Sequence, residues 1–361
     1  MEQKPWQQRA IKESIFKRDE IPNAESERLG FFGKKLYDTI LLSTQMTSED
    51  LKNQIESMKG IKESDNLSQK TDFYEKYGKK IIEALNRVGN ESKLKEEYKD
   101  CIAEFNAILE LFRILFIQHS LVPYKELKIS QDSQFSPEMV EEQKSLRQNI
   151  TEARGLIQWY ILSQESNRKY LSLLTEKLEE LAESIGLKFE ARNVLRGIVQ
   201  EIGIYKMLKR IFAEVAFATP EEDARYKIDF FAKTKSGKNI IVQSKSQSPI
   251  IGMGHRGPES KEGFFDEDEI NRTVKKLEEE KSHILINTTT AERSFDSLTQ
   301  MKGLQEDIGI VKEYAKEKGI HDPHYYLAVA RPYNFYNFDA WDETPWKLTS
   351  LENQMKIVAQ D

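Results

Sequence analysis

The chain has 361 residues, of which 39% are hydrophobic and 32% charged, and its formal net charge at pH 7 is -6. This length allows two domains, each with its own core. No apolar run approaches the roughly 20 residues that span a bilayer, and the amino terminus lacks a signal-peptide pattern, so we expect a cytoplasmic protein without a membrane partner. The single cysteine excludes an intrachain disulfide and a cysteine-based zinc cluster. The acidic total argues against indiscriminate coating of nucleic acid, although a local basic face is compatible with it.

The first third of the chain is predicted to be helical. No proline occurs between Asn23 and Val122, and the apolar spacing predicts helices over residues 25–45, 48–59, 71–88 and 92–121. The last of these helices carries a heptad seam of the coiled-coil type, which packs against another helix, and its members are Leu94, Tyr98, Cys101, Phe105, Ile108, Phe112 and Leu115.

Two further helical seams follow after Ser136-Pro137, which has the cap and first-turn proline of a helix start. Their apolar residues are Leu146, Ile150, Ala153, Ile157 and Tyr160, then Leu171, Leu174, Leu178, Leu181 and Ile185. Long seams of this kind predict antiparallel helices in a hairpin or small bundle. Gly186 is expected to end the last helix. We therefore predict an all-helical domain over residues 1–186 and a second domain over 187–361.

The second domain is predicted to open with a helix over residues 191–212. Its apolar stripe includes Ile198, Tyr205 and Leu208, and Glu201 falls on the same stripe. A carboxylate is costly to bury unless it is paired, hydrogen-bonded or bound to a metal. The position of Glu201 therefore predicts a partner across the helix interface.

A β-hairpin is predicted after this helix, from strands over residues 226–232 and 239–245. A two-residue turn at Ser236-Gly237 would pair Asp229 with Ser244. A three-residue loop, with Gly237 in the left-handed conformation, would instead pair Asp229 with Gln243. We predict the second register. A catalytic role for this hairpin requires Asp229 and Gln243 to share one face.

The order of these polar residues resembles that of a known enzyme family. Helical Glu201, strand Asp229 and the run Gln243-Ser244-Lys245 are similar to the PD-(D/E)XK nuclease superfamily, in the Mrr-like variant where glutamine precedes X-Lys. The resemblance covers about the last half of the chain. It implies a restriction-endonuclease-like αβββαβ core with a mixed central sheet, hence an α+β or α/β fold class. The remaining family elements correspond to a first strand over 214–218, a later helix over 266–281, a fourth strand over 284–288 and a fifth over 325–330.

The resemblance also implies an activity, that of a Mg²⁺- or Mn²⁺-dependent deoxyribonuclease acting in restriction, defence or repair. Asp229 would be the main metal ligand, Glu201 a second ligand, and the carbonyl of Ser244 a third. Lys245 would orient the attacking water or stabilise the developing charge. Gln243 would ligate or orient through its amide oxygen, which removes one negative charge from the site.

Basic residues near this motif are candidate contacts to a phosphate backbone. They are Arg192, Arg196 and Lys209 on the helix, and His255 and Arg256 in a glycine-rich loop. The alternative is that they belong to a solvated helix face and an ordinary surface loop. The helical domain offers no signal that decides between a grip on nucleic acid, a homodimer contact and a surface for a partner protein.

Three alternatives to catalysis stay open from the sequence. The hairpin can carry Lys245 and Gln243 on a solvent face, with Glu201 satisfied by Arg196 or Lys245. The domain can be an inactive member of the same fold that binds nucleic acid or a partner. The whole chain can be a helical interaction protein whose carboxy-terminal domain is only a scaffold.

Overall fold

The computed structural model describes residues 23–60, 74–97, 99–121, 137–165, 167–183, 186–246, 282–286, 309–330 and 349–360. Within these residues the chain is mostly helical with one mixed sheet, which confirms the α+β class at this coarse level. The chain divides into two compact units, Met1–Leu195 and Arg196–Asp361. The division falls inside a helix, after the predicted boundary at residue 186. No helix in the described ranges combines the length and apolar character needed to cross a membrane.

The first unit is built from helices. These are α1 (Asn23–Thr44), α2 (Ser48–Gly60), α3 (Lys79–Asn90), α4 (Ser92–Glu97), α5 (Ile102–Leu121), α6 (Pro137–Ser163), α7 (Arg168–Glu183) and the start of α8 (Lys188–Ile211). A π-helical turn, Tyr74–Gly78, leads into α3.

The prediction of one continuous helix over residues 92–121 is wrong. A 3₁₀ turn, Lys99–Cys101, separates α4 from α5. A 3₁₀ turn is wound more tightly than an α-helix, so it changes the direction in which the following side chains point. Leu94 before the turn and Cys101 within it are both fully buried. The break therefore keeps the apolar seam inside the unit, as the heptad pattern required.

Gly186 ends α7 as predicted. Its φ is 75°, a left-handed conformation that glycine adopts without strain. The N–H of Gly186 donates to the carbonyl of Glu183 at 2.9 Å, and the N–H of Leu187 donates to that of Ala182 at 2.9 Å. This pair of bonds is the Schellman motif, which satisfies carbonyl groups at a helix end.

The core of the first unit contains a polar network among its apolar seams. Helix α5 packs against α6, and the hydroxyl of Tyr170 on α7 donates to Oε1 of Glu104 on α5. The hydroxyls of Tyr160 and Tyr170 lie 2.5 Å apart. Burial, followed by the charge of Glu104, raises the pKa of Tyr160 well above its ordinary value. The Tyr160 hydroxyl therefore stays protonated and able to donate a hydrogen bond.

The second unit combines the rest of α8 with a five-stranded sheet. Its further elements are β1 (Glu214–Phe217), α9 (Pro220–Tyr226), β2 (Phe230–Lys233), β3 (Asn239–Ser246), β4 (Ser282–Ile286), a helix α10 over residues 309–317, β5 (His324–Ala330) and α11 (Thr349–Gln360). The strand order is β1-β2-β3-β5-β4. The predicted antiparallel meander of β1, β2 and β3 is confirmed, and β5 runs parallel to both β3 and β4.

Two features of this unit differ from the sequence prediction. The strand predicted over residues 226–232 begins only at Phe230, because the short helix α9, which starts with a capping box of Thr219 and Glu222, runs to Tyr226. Helices α9, α10 and α11 were not predicted. The predicted fourth strand over 284–288 and fifth strand over 325–330 correspond to β4 and β5 in chain order, and the structure places β5 between β3 and β4. The helix predicted over residues 266–281 lies outside the described residues.

The sheet is covered by helices on both faces. On one face, Tyr205 of α8 stacks on Phe217, with ring centroids 4.2 Å apart, and Phe217 contacts Phe230. On the other face, α10 contributes to a core cluster with strand residues, and its members are Ala218, Ile228, Ile241, Val311, Tyr314, Tyr325 and Leu327. Alternate residues of β3 therefore point toward α8 and toward α10.

The hairpin between β2 and β3 has the predicted three-residue loop. Gly237 has a φ of 91°, and the N–H of Thr234 donates to the carbonyl of Lys238 at 3.1 Å. The ladder runs from Lys233 opposite Asn239 to Phe230 opposite Val242. The register is the one that the left-handed glycine predicted.

Gly237→Ala is expected to lower the free energy of unfolding of the second unit by about 1–2 kcal/mol, because an L-residue is strained at positive φ. A Cβ at this position meets nothing within 4 Å, so steric contact adds no further cost. Urea unfolding followed by circular dichroism measures the change. Gly309→Ala is the matched control, since its Cβ site is equally open and its φ is not positive. Equal stability of the two variants would contradict the assigned loop conformation.

Candidate active site

Asp229 is fixed where β1, β2 and β3 meet. Its carbonyl accepts from the N–H of Ala218 at 2.8 Å, and its N–H donates to the carbonyl of Val242 at 3.1 Å. Its carboxylate Oδ2 accepts the backbone N–H of Ser244 at 2.5 Å. The side chain is half-buried. Main-chain hydrogen bonds on both sides therefore fix the backbone of Asp229, and the N–H of Ser244 holds its carboxylate.

The regular antiparallel pairing of β2 with β3 ends at Asp229. Val242 is already opposite Phe230, yet the N–H of Asp229 also donates to Val242. Two successive residues thus face one, the arrangement of a β-bulge, which redirects a side chain. The predicted pairing of Asp229 with Gln243 is therefore corrected. The register is right as far as Phe230, and the bulge then brings the carboxylate to Ser244.

Helix α8 meets the same point of β3 through a residue that the sequence prediction missed. Gln200 Nε2 donates to the hydroxyl oxygen of Ser244 at 3.2 Å, and the Gln200 side chain is buried. Asp229 contacts the backbone of Ser244 and Gln200 contacts its side chain, so Ser244 joins strand and helix. A polar residue next to Glu201 among the apolar positions of α8 was the available signal in the sequence.

Glu201 lies one helical turn before Tyr205, whose ring stacks on Phe217. Residues four apart share one side of a helix. Glu201 also follows Gln200, whose side chain reaches Ser244 beside Asp229. The half-buried Glu201 therefore belongs to the segment of α8 that meets β3 next to Asp229.

Gln243 is not part of this group. Its side chain is 2% exposed, and its Oε1 accepts the hydroxyl of Tyr325 on β5 at 2.6 Å. Tyr325 belongs to the cluster on the α10 face, whereas Ser244 contacts α8. The amide of Gln243 thus makes a buried hydrogen bond in the core between β3 and α10. Lys245 lies on β3 opposite Val329, and its side chain is outside the described part of the chain.

The basic residues that were predicted to contact phosphates differ from one another in their contacts and in their exposure. Arg192 donates to Oε2 of Glu179 at 2.9 Å within the first unit. Arg196 is half-buried. Lys209 places its amine 5.6 Å from the centre of the Tyr205 ring, and its side chain is exposed. His255 and Arg256 lie outside the described residues.

Tyr325→Phe is expected to destabilise the second unit by about 1–2 kcal/mol, because the buried Gln243 oxygen loses a hydrogen bond that water does not replace. Combining it with Gln243→Leu removes both polar partners, and the double variant should be more stable than the sum of the single effects indicates. Thermal or urea unfolding of the four proteins in the cycle measures this coupling. Additive effects would show that the two side chains do not depend on each other.

A cation site that included Asp229 and Glu201 would present carboxylate oxygens. Carboxylate oxygens of Asp229 and Glu201 are the ligands that Mg²⁺ prefers, and Mg²⁺ keeps several waters, so two carboxylates are sufficient. Among the described residues, no group of three or more histidine, cysteine, aspartate or glutamate side chains has metal-binding geometry. A cation here would therefore depend on two carboxylates together with main-chain oxygen and water.

Comparison of the chain with protein-family models, with curated proteins and with solved structures found no match. Interpretation of the site therefore depends on its own residues. The structure brings together Asp229, Ser244 and Gln200, with Glu201 on the same helical segment, and it separates Gln243 from them.

Proposed function

We propose that the second unit is a metal-dependent nuclease of the PD-(D/E)XK type, with DNA as its substrate. One observation carries this proposal. The Asp229 carboxylate is held by the backbone of Ser244, in the strand that continues into Lys245, and α8 reaches the same residue through Gln200. The Asp229 carboxylate and the helical Glu201, together with Lys245 at the end of β3, would supply the groups that phosphodiester hydrolysis needs.

The roles follow from the chemistry of each group. Asp229 and Glu201 would hold Mg²⁺ or Mn²⁺, which when bound supplies an activated water and stabilises charge on the phosphate. The Ser244 N–H orients Asp229, and the Ser244 carbonyl would be a third ligand. Lys245 would stabilise the negative charge that develops on the phosphate oxygens, because an ammonium group acts strongly at close range.

The assignment of Gln243 departs from the motif. A glutamine bonded to Tyr325 in the core cannot at the same time orient a ligand at Asp229. The requirement that Asp229 and Gln243 act from one face is therefore not met, because Gln243 lies in the core on the α10 face. We propose instead that the cation is held without Gln243, by Asp229 and Glu201. With only two carboxylates the site should bind Mg²⁺ weakly, and activity should require millimolar metal.

A second candidate function is binding of nucleic acid or a partner protein without catalysis. The burial of Gln243 favours it, since the usual third acidic position then contributes neither charge nor a ligand. In this case the Asp229–Ser244 bond is purely structural, and it fixes the start of β2 against β3.

The test is cleavage of a panel of plasmid DNA, linear DNA, single-stranded DNA and RNA, with Mg²⁺ or Mn²⁺. The natural chain is compared with Asp229→Ala and Lys245→Ala, and with Lys235→Ala as a matched control in the exposed hairpin loop. Metal-dependent cleavage that is lost in the first two variants and kept in the third supports the nuclease. Absence of cleavage, together with retention of the panel members on a binding gel, supports the non-catalytic function instead.

A further inference from the structure

The outer face of α1 carries a stripe with exposed apolar ends and a charged centre, in which Asp38 is exposed and Lys35 is half-buried. Its four residues, Phe31, Lys35, Asp38 and Leu42, are spaced by four, three and four positions, and we call them the α1 stripe. Phe31 is 61% exposed and Leu42 is 80% exposed. The opposite side of the helix is the one that packs into the unit, where Leu36 is fully buried. The stripe is therefore additional to the core of the unit.

The stripe lines a surface groove together with Lys34 and Thr39. Within the described residues, the ion pairs do not include Lys34, Lys35 or Asp38. A partner helix that covered the stripe would remove its two apolar ends from water and could pair its two opposite charges.

We propose that the α1 stripe is a homodimer contact, in which α1 of a second copy packs antiparallel across a two-fold axis. Centring that axis between Lys35 and Asp38 places Phe31 of each copy against Leu42 of the other. The same operation places Lys35 of each copy against Asp38 of the other. Every residue of the stripe then has a complementary neighbour.

The charge pattern is what identifies a second copy as the occupant. A two-fold contact must be self-complementary, because the same patch lies on both sides. Spacing by four, three and four residues gives alternating seam positions, and antiparallel helices pair one kind of seam position with the other. A polar pair in an otherwise apolar seam fixes the register of the helices. A parallel arrangement in register would oppose Lys35 to Lys35 and Asp38 to Asp38.

Two other occupants are distinguishable. Residues 1–22 precede α1 in the chain, and a different protein of complementary charge is the other possibility. Neither of them predicts that charge changes in one copy are compensated by charge changes in another copy of the same chain. Dimerisation of the full-length protein, followed by its response to charge exchange, therefore separates the three cases.

Sedimentation equilibrium of the full chain over a concentration range that spans about 1–100 μM, where small interfaces dissociate, gives the dimer dissociation constant. Lys35→Asp and Asp38→Lys should each weaken the dimer about tenfold or more, since each places like charges opposite each other. The double variant K35D/D38K should return to the affinity of the natural chain. An equimolar mixture of the two single variants should form a heterodimer, because their charges then complement each other.

Leu42→Ser should weaken the dimer by a similar factor, and Lys52→Asp, an exposed charge reversal on α2, should leave it unchanged. Unchanged far-ultraviolet circular dichroism shows that each variant is folded. A chain that is monomeric throughout the range overturns the proposal, as does a dimer in which the double variant is as weak as the single ones. If deletion of residues 1–22 converts a monomer into a dimer, these residues cover the α1 stripe in the natural chain. The proposal is likewise overturned by that result.

Discussion

Asp229→Asn is expected to reduce metal-dependent DNA cleavage by about 10³-fold or more, because it removes a negative charge from a cation that depends on two carboxylates. The asparagine side-chain oxygen still accepts the N–H of Ser244, so the hydrogen bond that fixes this position is kept. The variant therefore separates the charge of Asp229 from its structural role. Initial rates of plasmid relaxation at saturating Mg²⁺ measure the effect.

Glu221→Gln is the matched control for this prediction. It removes a carboxylate from the same unit, and the Glu221 side chain is 64% exposed in an ion pair with Arg225. We expect its cleavage rate to equal that of the natural chain. Binding of Mn²⁺, followed by its electron paramagnetic resonance signal, should be weakened by Asp229→Asn alone. If Asp229→Asn cleaves at the natural rate, the metal-site hypothesis is wrong.

Tyr170→Phe is expected to lower the free energy of unfolding of the first unit by about 3 kcal/mol, since a buried carboxyl group loses a hydrogen-bond donor. The hydroxyl of Tyr170 lies between Glu104 and Tyr160, so its removal affects two partners at once. Both Tyr170 and Glu104 are at most 1% exposed, which prevents water from replacing the lost hydrogen bond. Urea unfolding monitored at the helical circular dichroism signal gives the measurement.

The same chemical change at Tyr37 provides the control. The Tyr37 hydroxyl is 2.7 Å from the hydroxyl oxygen of Ser48 in a part-buried position, and Tyr37→Phe should cost about 1 kcal/mol or less. Adding Glu104→Leu to Tyr170→Phe should recover part of the stability, because the buried carboxyl group that lost this donor is then absent. Equal losses for Tyr170→Phe and Tyr37→Phe would show that the buried network contributes nothing beyond an ordinary hydrogen bond.

Several parts of the fold were predictable because neighbouring residues determine them. A glycine at the third loop position set the β2–β3 register, since the loop needs a positive φ that glycine adopts at no steric cost. Gly186 ended α7 for the same local reason. Helix α9 was missed, although the run from Thr219 to Glu222 contains the capping-box signature that starts it. That error came from an unused local signal.

The partners of the polar side chains were beyond local prediction. Gln243 and Tyr325, which share a hydrogen bond, are separated by 82 positions, and Gln200 and Ser244 are separated by 44. These contacts depend on β5 lying beside β3 and on α8 covering one face of the sheet. The β-bulge at Asp229 depends on the backbone of β3 as its partner. The alternation of side chains along a single strand gave no information about these contacts or about the bulge.

The sequence by itself determined the helical first third and the antiparallel meander with its register, and Glu201, Asp229 and Lys245 are candidates through a family resemblance. Apolar spacing, helix caps and loop glycines act over a few residues, so the helices and the hairpin register are encoded locally. Only the tertiary structure decided that Asp229 bonds to Ser244, that Gln200 meets it there, and that Gln243 is held in the core by Tyr325. A buried polar group takes whichever partner the packing of distant elements brings within reach, because leaving it without a hydrogen bond is costly.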